Sequence, residues 1–267
     1  MAHSGLILMA AVVVALGATV DRSTAAPVQL EPHRAAYTMS LGTVRSGGGT
    51  ADARGAMYME WAEACDGWTI TQRVSLTLYA TQGGPIETES NFSSWESKDG
   101  LNYRFTVRNS RQGKVTEEFR GEASLDGPGG AGRASFSSPK GLKFALPKGA
   151  VFPTEHTVQV IVAARAGQMT LLRTMFDGAT VEGPYEVNAV IGAPIQPKDG
   201  AEGLAARPGW PIRMAFFPSL SQQAEPDYEV TVRLLDNGVG QHFLLDYGDF
   251  TVNATLEKLE PLAKPKC

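Results

Sequence analysis

The stretch from Tyr228 to Leu256, YEVTVRLLDNGVGQHFLLDYGDFTVNATL, decides how the rest of the chain is read. Apolar residues fall at every second position: Tyr228, Val230, Val232 and Leu234, then Phe243, Leu245 and Tyr247, then Phe250, Val252, Ala254 and Leu256. A period of two places these side chains on one face of a strand and leaves the other face wetter. Asn237-Gly238 separates the first two runs, and that pair tolerates the positive φ of a tight hairpin. Outward from this segment the pattern repeats, with Val74, Leu76 and Leu78 in one run and Tyr103, Phe105 and Val107 in another. Turn chemistry stands at Gly47-Gly48-Gly49, Gly83-Gly84-Pro85, Asp99-Gly100, Gln112-Gly113 and Asp126-Gly127. Turns every ~10 to 15 residues predict a long antiparallel meander rather than βαβ units.

One segment reads as helix. Pro153 precedes Thr154, an acceptable N-cap, and Val158, Ile161, Val162 and Arg165 follow at helical spacing before Gly167. The expected helix is Thr154 to Ala166, laid across a sheet face or into the mouth of a curved sheet. Pro194 to Pro211 is polar and Pro-rich and reads as a long exposed loop. It does not divide the chain into compositionally different halves.

Leu6 to Val20 is an uninterrupted apolar and small-residue run, and Ser23, Thr24, Ala25 and Ala26 follow it. The run falls short of the roughly 20 residues needed to span a bilayer core, and it ends on side chains that a signal peptidase accepts. Residues 1–26 are therefore read as a signal peptide, although the segment before the run lacks Lys and Arg. Residues 27–267 are read as a single all-β domain, long enough to bury a sizeable core. No later stretch approaches a membrane span. The formal net charge of −4, with both signs spread along the chain, argues against nucleic acid or an anionic lipid surface as partner.

Two cysteines follow the apolar run, Cys65 and Cys267. In an oxidising compartment an even count reads as a disulfide, with free thiols or an intermolecular bridge as the other readings. An intramolecular bridge would close a loop of roughly 200 residues, a constraint of at most ~5 kcal/mol in the chain-entropy model.

The chemistry-bearing patterns are weak. Gly127, Gly129 and Gly132 satisfy G-x-G-x-x-G, but no helix follows to hold a pyrophosphate, so a flexible hairpin loop is the better reading. His33, His156 and His242 have no nucleophile beside them in sequence, and G-x-S-x-G is absent. No metal-ligand spacing occurs; Asp246 and Asp249 flank Tyr247-Gly248 as a turn would. Acids such as Glu60 and Glu63 are uninformative alone, since paired carboxylates for glycoside cleavage are defined by their separation in space. No metal or cofactor is expected. Trp61, Trp68 and Trp95 lie in strand patterns and read as core. Trp210 sits between Gly209 and Pro211, ahead of Met214, Phe216 and Phe217. These four form a candidate contact patch after the loop, the competing reading being a strand that enters the core.

Beyond these patterns the chain resembles a known family. Cys65-Asp66-Gly67-Trp68 after an aromatic strand, Arg34-Ala35-Ala36-Tyr37, Glu89-Ser90-Asn91-Phe92 and a second cysteine at 267 are similar to the alphaproteobacterial periplasmic EipB proteins of cell envelope integrity. The likeness runs from about Pro32 to Cys267. It implies an antiparallel sheet wound on itself as a β-spiral, a Cys65–Cys267 disulfide, residence in the periplasm and a role in maintaining the envelope. It implies no catalytic residues. By fold analogy with periplasmic lipoprotein carriers it makes a lipid or lipoprotein ligand conceivable, beside an envelope protein partner. The expected function is a non-enzymatic binding or scaffold module; the alternative is a cell-wall hydrolase.

Overall fold

The structure is a computed structural model and describes residues 26–47, 49–220 and 223–267. The expected signal peptide therefore lies outside the described residues apart from Ala26. The first eight strands are β1 (His33–Val44), β2 (Thr50–Glu63), β3 (Gly67–Ala80), β4 (Ile86–Ser97), β5 (Asn102–Arg111), β6 (Lys114–Leu125), β7 (Gly132–Ser138) and β8 (Lys143–Leu146). Helix α1 (Pro153–Arg165) follows. The remaining strands are β9 (Thr170–Met175), β10 (Tyr185–Ile191), β11 (Gly209–Pro218), β12 (Tyr228–Leu235), β13 (Gly240–Asp246) and β14 (Phe250–Pro261).

These strands form one sheet of 14, in the order β8-β7-β6-β5-β4-β3-β2-β1-β14-β13-β12-β11-β10-β9. Each neighbour but one is a hairpin partner in sequence. The exception is the seam between β1 and β14, which runs from His33↔Pro261 to Val44↔Phe250 and joins two meanders into one sheet. The edge strands β8 and β9 are not paired with each other, so the sheet is an open β-spiral rather than a closed barrel. Its edges are protected in the usual ways: β8 is four residues long, and β9 is flanked by α1 and by a parallel bridge from Val151 to Met175. An all-β antiparallel spiral with one short helix is thus what the sequence pattern and the family likeness led us to expect. The turn residues act as their chemistry requires. Gln112 and Gly113 take φ of 53° and 70° between β5 and β6, the pair of positive values that a type I′ two-residue hairpin requires.

The helix differs from the sequence reading at its start. Thr154 is inside the helix, Pro153 is its first residue, and the cap position is held by Phe152, which has no side-chain acceptor to offer. The end is as expected. Gly167, at φ 72°, donates to the Ala164 carbonyl and Gln168 to that of Ala163, the paired bonds of a glycine-terminated helix. Val160, Ile161, Ala163 and Ala164 pack into a cluster with Trp61, Trp210, Ile212 and Leu234 from both meanders. A second cluster gathers aromatic side chains, among them Tyr103, Phe105, Phe136, Phe152 and Phe176, with ring centroids 4.9 to 5.9 Å apart in the pairs that share Phe105 or Phe152.

A second difference concerns Trp210. The expected loop from Pro194 to Pro211 ends at Gly209, where β11 begins, so Trp210 and Pro211 belong to a strand. Trp210 pairs with Leu234 of β12 and is 7 % exposed. Proline is tolerated there because Pro211 lies one residue beyond the last β10–β11 pair, Ile191↔Ile212. It still accepts a bond from Gly192 N–H at 2.8 Å, and Gly192 leaves room for its ring: a Cβ there would stand 2.6 Å from Pro211 Cγ.

Candidate functional site

Three places could carry function: the interior between helix and sheet, the clamp at the chain end, and the outer face of β3 to β7. In the interior, β4 alternates Phe92, Ser94 and Glu96 toward the core, which brings a carboxylate to a buried position. Glu96 Oε2 accepts from Thr154 N–H at 2.7 Å and Oε1 from Glu155 N–H at 2.9 Å. It caps α1 from 58 residues away, meeting both the free amides and the positive end of the helix dipole. Burial nevertheless dominates and raises its pKa to about 7, against those hydrogen bonds. The opposite end of α1 is tied by Arg165, whose guanidinium donates to the Asp236 carbonyl at 3.2 Å. Arg207 holds the Asp236 carboxylate through two bonds of 2.8 and 3.0 Å.

Beside α1 lies a cavity of about 140 Å³ lined chiefly by apolar groups such as Met59, Val160, Ile212 and Phe243. His156 and Trp61 also face it, and neither His156 Nε2 nor Trp61 Nε1 has a hydrogen-bond partner. Burial, aided by the nearby Arg173 charge, lowers the His156 pKa to about 4, so the ring is neutral. His33 is also fully buried and bonded through Nδ1 to the Glu31 carbonyl at 2.7 Å. Among the described residues, no histidine nitrogen is bonded to a serine, a cysteine or a carboxylate. Three of the acids singled out from sequence are engaged elsewhere. Glu60 meets Arg34 at 3.4 Å, Glu63 pairs with Lys98, and Asp246 pairs with Arg45 at 2.8 Å while accepting from Gly248 N–H. The Gly127, Gly129 and Gly132 pattern spans the β6–β7 turn with no helix after it.

At the chain end, Cys65 and Cys267 form a disulfide with Cα atoms 5.7 Å apart. Cys65 lies in the β2–β3 turn, so the bridge fastens the tail after β14 to the neighbouring hairpin. Leu262 N–H to the Pro32 carbonyl and Lys264 to Glu31 fasten it further.

The four residues of the candidate contact patch are not brought together on one exposed face. Trp210 and Phe216 are buried, 7 % and 6 % exposed, and Met214 is half-buried on the same side of β11. Phe217, half-buried, points to the opposite side, because successive strand residues alternate. Trp61 is in the core, as its pattern suggests, while Trp68 and Trp95 are half-buried under cations. Lys98 lies 5.6 Å from the Trp68 ring and Arg104 lies 4.8 Å from that of Trp95.

The third place was not found from sequence. On the side of β3 to β7 that faces away from Tyr103, Phe105 and Val107 runs a groove of about 730 Å³. Two cross-strand rows floor it. One is Thr69↔Trp95↔Arg104↔Glu122↔Ser135, the other Thr71↔Ser93↔Thr106↔Arg120. The signal was present as polar residues alternating with Tyr103, Phe105, Ala134 and Phe136, but any solvent-facing strand has such partners. Only the register shows that they align. Among the described residues no group of His, Cys, Asp or Glu is placed to hold a metal ion, and no helix is long and apolar enough to cross a membrane.

An open antiparallel spiral, tied near its end by a long-range disulfide and packed against helix α1, defines a β-barrel-like class of protein. The chain belongs to the EipB-like family, whose model matches residues 24–263. It is 29 % identical over 245 residues to the cell envelope integrity protein EipB of Brucella abortus (strain 2308), covering 89 % of this chain and 86 % of that protein. It is also similar to a crystallised β-barrel-like protein of a domain of unknown function from Brucella abortus. That match has a TM-score of 0.80 and 27 % identity, and it covers 88 % of this chain and all of the other.

Proposed function

We propose that this chain is exported through the signal peptide 1–26 and that residues 27–267 act as one non-enzymatic unit in the periplasm. There it supports cell envelope integrity as a scaffold that binds its partner on its surface. The observation that carries this reading is the small size of the cavity between helix and sheet. The helix–sheet cavity of about 140 Å³ falls below the roughly 300–1,000 Å³ of ligand pockets, while the outer groove of about 730 Å³ lies within that range. A carrier for a whole acyl chain needs an interior that this fold gives to packed side chains. A surface partner, such as an envelope protein, does not. The hydrolase alternative finds no support: Glu60, Glu63 and Asp246 are paired with arginine or lysine, and among the described residues no histidine is bonded to a nucleophile.

Deletion of the gene in the source bacterium should sensitise cells to detergent, and a copy exported to the periplasm should restore tolerance. Unchanged tolerance after deletion, or full rescue by a chain lacking residues 1–26, would overturn the reading.

A further inference from the structure

We propose that the outer groove of β3 to β7 binds an acidic glycan, a chain of sugars bearing carboxylates. The inference rests on the surface-binding reading above and supplies its ligand class.

The groove lies on the face of central strands. Backbone donors and acceptors there are already spent in the β3–β4, β4–β5, β5–β6 and β6–β7 ladders. An extended peptide recognised by strand addition has no edge to pair with here, so the ligand must be read by side chains. Those side chains are hydroxyls in a row. Thr71, Ser93, Thr106 and Ser135 have no side-chain hydrogen bond among the described residues, so each can both donate and accept, as a sugar hydroxyl does. Five strands at ~4.8 Å spacing give the floor a length of about 19 Å, suited to an elongated molecule lying across them.

The sign of the ligand follows from the charges. Arg104 and Arg120 are exposed and have no ion pair among the described residues, although the protein pairs Arg34, Arg108 and Arg213 with glutamates. Arg104 is held instead against Trp95, which keeps the guanidinium fork in place and leaves its donors unspent. Arg133, also unpaired, extends the same face beside Arg104 and Glu122. Against these cations the groove sets one carboxylate, Glu122, able to accept from neutral sugar hydroxyls. In a chain with net charge −4 this is a locally positive, hydroxyl-rich cleft. Guanidinium matched to carboxylate and hydroxyl matched to hydroxyl together describe an acidic glycan.

The test is calorimetric titration of the exported protein with a tetramer alternating N-acetylglucosamine and N-acetylmuramic acid. Chitotetraose, the same backbone without lactyl carboxylates, is the comparator. The acidic tetramer should bind, with affinity weaker by about tenfold or more in Arg104→Ser/Arg120→Ser while melting is unchanged; chitotetraose should bind the parent protein correspondingly less well. No binding of the tetramer, equal affinity for both oligosaccharides, or affinity indifferent to the two substitutions would overturn the proposal. Failure here with detergent sensitivity on gene deletion would discard this inference alone. Tight binding without that sensitivity would discard the envelope function and leave the glycan site standing.

Discussion

Glu96 caps α1 from β4 and His156 lies within α1, and their opposite effects on stability should largely cancel over the acid range until one of them is removed. Glu96 has a folded pKa of about 7 against an ordinary 4.5. Its raised value means the folded state holds a proton that the unfolded chain lacks between those two pH values. Stability from this group is therefore fully present below 4.5 and is lost as pH rises toward 7. His156 runs the other way. Its pKa is lowered from 6.5 to about 4, so the unfolded chain takes up a proton first, and stability is lost as pH falls from 6.5 toward 4. At 1.36 kcal/mol per pH unit each effect amounts to ~3 kcal/mol over its full interval.

The perturbations are Glu96→Gln, which keeps an acceptor for one helix amide but cannot titrate, and His156→Leu, which keeps the volume in an apolar cavity. Urea unfolding at pH 7.5, 6.0 and 4.5 gives the assay, and subtracting the parent profile removes what all other carboxylates contribute. On acidification from 7.5 to 4.5, Glu96→Gln should lose ~3 kcal/mol relative to the parent, and His156→Leu should gain ~2 to 3 kcal/mol. Three parallel profiles would refute the reasoning, because they would mean that neither group changes its proton affinity on folding.

Four further substitutions test the disulfide and the packing. Cys267→Ser should lower stability by up to about 5 kcal/mol, and chemical reduction should reproduce the effect in the parent but not in the variant; equal melting of all three would refute a structural bridge. Trp210→Ala should cost ~3 to 5 kcal/mol, whereas Phe217→Ala, on the other side of the strand and half-buried, should cost clearly less; equal losses in urea midpoint would refute the assignment of faces. Gly178→Ala combines a φ of 68° with a Cβ 2.5 Å from the Phe105 ring, and should cost ~2 kcal/mol or more in melting experiments; a neutral result would mean the ring and loop shift freely.

What was legible in the sequence follows from range. The strands of β12, β13 and β14 could be read because alternation and an Asn-Gly turn are local, and the end of α1 because Gly167 acts within its own turn. The start of α1 was misread for the complementary reason. Thr154 is the residue a local rule selects, yet the cap is Glu96, whose contribution exists only once β4 lies beside the helix. Pro211 misled in the same way. A proline next to a polar stretch reads as loop, and only the position of Gly192 and the end of the β10 ladder show that it fits a strand. The groove was illegible because its parts lie on five strands. Thr71, Ser93, Thr106 and Arg120 are separated by 13 to 22 positions and become a row only through register.

The same distinction between local and distant contacts explains why one disulfide suffices. Thirteen pairings hold the sheet, and every one except β1–β14 joins strands consecutive in sequence, so each can form as its hairpin is made. The seam cannot, since His33 must find Pro261 across almost the whole chain. Contacts of that separation carry the largest closure cost and form late. It is there that the protein adds a covalent tie: Cys65 and Cys267, 202 residues apart, lie at the end of the seam where β14 has run out. Tyr37 adds a buried bond from β1 to the Gly240 carbonyl at 2.7 Å, across β14. The two meanders are thus held as one spiral at the junction where hairpin formation alone gives no help, whereas the outer groove is built wholly from the consecutive hairpins of the first meander.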